Sequence, residues 1–382
     1  MRPRMSISAV VLLTFLTHIG FAGSRVTVAL FAVDHGSAAL TVGSIVSMYA
    51  LFPALLAVYA GRITDRLGFW LPMLAGAIGV LLGLLLPFLL PSLAILYLAA
   101  PVLGLSFMTF QLAAQTLAGA IATPAERGRN FSLVSLGFAA GNFTGPLIAG
   151  FLIDHVGHAR TFLALSLPVA LASAAIALGG RRMPRPQGEG ASRGGRVADL
   201  LGIKPLRNTF IASGIVSSAW DLYQFFMPIY GRAQGLSATS IGVVLSAFAV
   251  AIVLVRVFLS FAVRRFDEAR LLTWSMFVAC AAYSLFPLLG SAWALAAVSF
   301  LLGIGCGCGQ PLSMTLIYNA SPPGRSAEAT GIRITVNNCT HFMIPLLFGA
   351  LGSAAGFASV FIANAGFLAL GGYVSARNNA RR

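Results

Sequence analysis

Charged and amide side chains set inside long apolar runs are the groups of this chain able to do chemistry. Asp221 is the one acid placed deep in such a run, and Gln224 follows three residues later on the same helical face. Three arginines are embedded too: Arg25, with His18 seven residues before it, Arg256 and Arg333. Arg333, Asn337 and His341 are spaced by four and form one polar stripe. Gln111, Gln115, Asn142 and Gln310 complete the set. Such groups are costly in hydrocarbon and mark pathways for ions or polar solutes. Desolvation and a nearby arginine act on the protonation of a carboxylate in opposite senses, which suits Asp221 to proton coupling. Arg333 lies near the end of its run and is read as snorkelling. Arg256 lies about two turns from the end of its own, too deep for that, and calls for a polar or acidic neighbour.

The elements that must position these groups follow from composition. Hydrophobic residues make up 58% and charged residues 9% of the 382 residues. Soluble domains carry about 25% charged residues, so the natural solvent here is a bilayer. Apolar runs of roughly 20 residues recur, long enough to span it as helices. Twelve spans are expected, at about 6–32, 40–60, 70–89, 93–118, 131–153 and 160–180, then 209–231, 239–262, 271–288, 292–318, 329–352 and 356–375. The first is read as a retained helix that also serves as an uncleaved signal. The net charge of +15 is not a nucleic-acid patch. Apart from the three embedded arginines, only Arg160 and Arg232 fall outside the alternate loops and termini. That positive-inside alternation predicts both termini in the cytoplasm and no nucleic-acid partner.

The chain also repeats itself at an offset of 199 residues. Gly36, Gly43, Gly104, Gln111, Pro124, Pro146, Gly150 and Phe162 fall on Gly235, Gly242, Gly303, Gln310, Pro323, Pro345, Gly349 and Phe361. The expected division is a bundle over 1–180, a linker over 181–208 rich in Arg, Gly and Pro, and a second bundle over 209–382. Within the linker, 197–203 reads either as an amphipathic turn at the membrane surface or as plain solvated chain. The fold class is thus all-α and membrane-embedded, twelve helices in two pseudo-symmetric bundles of six, with a substrate site between the repeats.

Two motifs sharpen this. The loop after the second span reads GRITDRLGFW, with Gly61, Asp65, Arg66 and Gly68. It resembles the loop signature of the major facilitator superfamily, although Phe69 and Trp70 stand where that family has two basic residues. The resemblance implies that this loop gates the cytoplasmic side. The fifth span carries Gly137, Gly141, Gly145, Pro146 and Gly150. Glycines four apart allow close helix packing, and the pattern resembles the glycine-proline motif of that superfamily's drug and metabolite exporters. The arginine those exporters often carry on the fourth span is absent, with Ala100 and Leu103 near Gly104. The resemblance also implies that the first and seventh spans line a central cavity, which would let Arg25 and Asp221 face each other.

The expectation is a secondary transporter of the bacterial inner membrane, monomeric and without cofactor, that moves a small organic molecule by alternating access. Proton-coupled efflux is the first reading and proton-driven uptake of an organic anion the second. Three embedded arginines against one acid favour an anionic or amphiphilic substrate. No Walker-type loop is present to use ATP. A membrane enzyme or lipid flippase is the remote alternative. Its acid–histidine candidates, Asp34-His35 and Asp154-His155 with His158, are sparse and read as interface loops. The four cysteines have no metal-binding spacing.

Overall fold

A computed structural model describes residues 6–121, 127–179, 197–322 and 326–379. The described residues form thirteen α-helices: α1 Ile7–Asp34, α2 Ala39–Leu67, α3 Trp70–Leu89, α4 Leu93–Ala120, α5 Arg127–Gly179, α6 Val197–Gly202, α7 Lys204–Ala233, α8 Ala238–Arg265, α9 Glu268–Leu285, α10 Ala292–Gly307, α11 Gly309–Ala320, α12 Ser326–Ala355 and α13 Phe357–Asn379. Twelve membrane passes result. α5 contains two, joined at Gly157, whose φ of 80° is open to glycine without strain. α10 and α11 together make one, meeting at Cys308. Cys308 keeps α-region dihedrals (φ −87°, ψ −15°) and its carbonyl accepts from Leu312 N at 3.1 Å, so the span Ala292–Ile317 agrees with the expected 292–318.

The 199-residue repeat has a physical content that can be followed contact by contact. Ser92 and Ser291 cap α4 and α10, accepting from Ile95 N and Ala294 N, each at 3.3 Å. Gly36 and Gly235 close α1 and α7 with positive φ (74° and 77°). Beyond them, Ser37 N bonds Ala32 O and Leu236 N bonds Gly231 O, both at 3.0 Å. Gly157 recurs as Gly356, with the same φ of 80°.

The matched glycines of the helix interiors are places where another backbone passes too close for a Cβ. A Cβ on Gly104 would strike Tyr49 O, and one on Gly303 would lie 2.5 Å from Phe248 O. Gly43 faces Pro345 O, and Gly242 faces Pro146 O. Gly150 faces Ala238 O, and Gly349 faces Ala39 O. Between helices in lipid there is little hydrophobic drive, so close van der Waals approach of this kind carries the association.

Two compact units result. Unit 1 comprises Met1–Ser37, Ser44–Glu189 and Gly231–Ser246, and unit 2 comprises Ala38–Gly43, Gly190–Tyr230 and Ala247–Arg382. In unit 1, α1 lies along α5: Gly137 sits against Val11 O, Gly141 against His18 Cβ, and Gly145 against Gly23 N and Ile19 O. In unit 2 a fully buried aromatic core joins Tyr223, Phe248, Tyr283, Phe286 and Phe361. Tyr230 O–H donates to Phe286 O and Leu289 O, each at 3.0 Å, and Tyr283 O–H donates to Ala219 O. Most aromatics of α7 therefore pack inward, not against lipid.

The sequence left two readings open for 197–203, and the structure has a helix there. α6 drives Leu200 into a cluster with Leu206, Phe210, Ile317 and Ala329. The rest of the linker, 180–196, lies outside the described residues, as do Pro124 and Pro323. α2 runs through Gly61, Asp65 and Arg66, whose side chains are also outside them, while Gly68 ends that helix with φ 83°.

Candidate functional site: a polar seam in the second unit

α7 presents Ser213, Ser217 and Asp221 at four-residue intervals, so all three share one face. α12 does the same with Arg333, Asn337 and His341. The two stripes meet inside unit 2. Ser213 Oγ donates to Asn337 Oδ1 at 3.2 Å, and two turns further along α7, His341 Nδ1 is hydrogen-bonded to Asp221 Oδ1. Asp221 is only 1% exposed, and its second oxygen, Oδ2, has no partner. A carboxylate accepts only, so the shared proton sits on His341 Nδ1 while Asp221 is ionised.

A pocket of about 40 Å³ opens beside this pair, lined by Ser213, Ser217, Trp220, Gln310 and His341 among others. At ~10–15 Å³ per water it has room for about three. Gly309, the first residue of α11, also lines it. A Cβ on Gly307 would come within 3.1 Å of Ile252 Cα, so glycine lets α10 and α8 pack closely there.

Other expected site residues are distributed over both units. Asp221 takes its hydrogen bond from His341 of its own unit. Arg25, expected to face Asp221, belongs to unit 1, where its Nε is buried without a partner. His18 of α1 lies near Asn142 of α5, has a buried Nδ1 without a partner, and is ringed by Phe21, Phe107 and Phe138 at 6.0, 5.0 and 5.4 Å. Gln111 and Gln224 are half-buried, whereas Gln115 is exposed. Arg333 does not snorkel: it is 7% exposed, and its Nε and Nη1 have no partner. Arg256 is exposed on α8, with no partner among the described residues. Ser213 and Ser217 were missed in the sequence; their four-residue spacing to Asp221 was the available signal.

Unit 1 holds a second ionic cluster at the end of α1. Arg232 Nε and Nη2 grip Asp34 Oδ1 and Oδ2, each at 2.6 Å, and His158 Nε2 approaches Oδ2 at 2.9 Å. Nearby, Asp154 accepts from Ala238 N at 3.0 Å and Thr239 N at 2.7 Å. These are first-turn N–H groups of α8 with no partner in their own helix, so Asp154 caps α8 from α5. Asp154→Ala is expected to destabilise the chain by about 0.5–2 kcal/mol, the usual worth of such a cap. Thermal unfolding of the purified variant checks this, and an unchanged midpoint would remove Asp154 from any structural role.

Known proteins resemble this chain along almost its whole length. It is 25% identical over 346 residues to the class C tetracycline resistance protein of Escherichia coli, covering 85% of this chain and 83% of that protein. The class G tetracycline resistance protein of Vibrio anguillarum is 25% identical over 321 residues, covering 82% and 80%. Among solved structures, a POT family transporter in complex with a thioalcohol-conjugated peptide superposes with a TM-score of 0.84 at 14% identity, covering 98% and 96%. A bacterial homolog of the human lysosomal transporter Spinster, inward-facing and unoccupied, gives 0.80 at 15% identity, covering 97% and 96%. At such identities the structures establish the fold alone. The Major Facilitator Superfamily profile matches residues 10–209 and again 209–377, once per repeat. With twelve passes, a doubled sequence and a match spanning both copies, this chain is a membrane transporter of the Major Facilitator Superfamily.

Proposed function

We propose that the chain exports a small amphiphilic organic molecule in exchange for protons, with the Asp221–His341 pair as the proton-coupling site. The observation that carries this is the buried Asp221 carboxylate bonded to the partly exposed His341. A carboxylate with one free oxygen, bonded to an imidazole that lines a small polar pocket, offers a place for a proton to bind within the membrane. Protonating Asp221 takes the charge out of this hydrogen bond while leaving an oxygen to accept it, so proton uptake weakens the link between α7 and α12 without cutting it. Efflux is favoured by the similarity to tetracycline resistance proteins. The loop charges support termini in the cytoplasm of a bacterial cell, and the working form is taken as a monomer in the inner membrane.

The test is accumulation of tetracycline in cells expressing the full chain, beside a panel of aromatic acids and amines. Expressing cells should hold less of at least one compound than controls, and a protonophore should erase the difference. Raised uptake of a labelled acid would instead favour the import reading. No difference for any compound, in either direction, would remove both.

A further inference from the structure

A second cavity in unit 2 shares no lining residue with the pocket beside His341. It measures about 240 Å³ and is mainly apolar, walled by Ala212 and Ile215 of α7, Leu272 of α9, Leu316 of α11 and Gly371 of α13. Ile211, Phe367, Leu370 and Val374 also line it and are 55%, 43%, 62% and 47% exposed. The cavity therefore opens on the outer, lipid-facing side of these helices. Its polar lining residues, Asn208, Thr209 and Ser375, lie toward the start of α7 and the end of α13.

The charges beside that polar end are mostly basic. Lys204, Arg207, Arg270 and Arg377 each lie within two residues of a lining residue, and all four are exposed. Asp267 and Glu268 are the acids there. Asp267 is occupied in capping α9, accepting from Ala269 N at 3.1 Å and Arg270 N at 3.2 Å. An apolar cavity open to lipid, with a basic mouth at the level where helices begin and end, has the two features of a phospholipid. Basic pockets between membrane helices favour anionic head groups. The volume is below the ~300 Å³ of the smaller ligand pockets, which fits one stretch of acyl chain with the phosphate outside.

We propose that this cavity binds an anionic phospholipid, its acyl chain between α7 and α13 and its phosphate against Arg207 and Arg270. The occupant would also touch Leu316 of α11. This site stands apart from the coupling pair, so its failure leaves the proposed export untouched.

The test uses the full chain purified in detergent, titrated with 1-palmitoyl-2-oleoyl phosphatidylglycerol or the matching phosphatidylcholine. Native mass spectrometry reads the bound lipid and thermal unfolding reads the stabilisation. Phosphatidylglycerol should bind at least about tenfold more tightly. Arg207→Gln combined with Arg270→Gln should bring the two lipids to parity. Ala212→Phe should weaken both, and Leu370→Trp at the mouth does the same should the first variant fold poorly. Equal binding of the two lipids to wild type, or a preference that survives the double charge variant, overturns the proposal. So does inorganic phosphate if it stabilises as well as phosphatidylglycerol and is indifferent to Ala212→Phe, since the acyl chain would then play no part.

Discussion

Asp221→Asn is expected to reduce proton-driven transport to the level of protein-free vesicles while the protein stays folded. Asparagine keeps the size of the side chain, and its Oδ1 still accepts from His341 Nδ1. It cannot take up or release a proton. Exchange of substrate across vesicles without a pH gradient should therefore persist, because that needs rocking but no titration. Asp221→Asn vesicles that acidify on substrate addition as wild type does would end the assignment. A variant that loses both modes and unfolds early would make the pair a structural brace. Breaking a buried pair by removing one partner costs about 3–5 kcal/mol, whereas this isosteric change keeps the hydrogen bond and should cost far less.

The second large effect concerns packing. Gly104→Ala is expected to lower the yield of folded, detergent-extracted chain severely, and Gly303→Ala should do the same at the matching place. A Cβ at either position meets a main-chain carbonyl, Tyr49 O or Phe248 O. Side chains can rotate away from such a clash; a helix backbone must move as a body. Overpacking of this sort costs at least ~1–3 kcal/mol. Gly366→Ala is the control, since nothing lies within 4 Å of a Cβ there. It should be neutral or slightly stabilising, as alanine is the better helix former. Equal yields from Gly104→Ala and Gly366→Ala would show that α2 and α4 can separate freely.

These two cases mark what a single sequence can and cannot disclose. The doubled fold was legible because glycine and proline matches at one offset reflect backbone approaches, and backbone geometry restricts residue type severely. The matched pair Gly157 and Gly356 went unnoticed, although it sets the sharp turns between passes. The polar residues of the seam were legible one helix at a time. That Asp221 meets His341 depends on the relative register of α7 and α12, which spacing along one helix does not contain. The burial of Arg333 was misjudged for the same reason: distance from a helix end says nothing of the neighbours that cover it.

The caps at the starts of α2 and α8 carry one more consequence. Asp154 and Ser353 are repeat mates, as are Thr239 and Leu40. Ser353 Oγ accepts one bond, from Leu40 N at 2.9 Å, where Asp154 accepts two with a formal charge. Charge-assisted bonds are roughly twice as strong as neutral ones. Two joints related by the repeat thus have unequal holding strength.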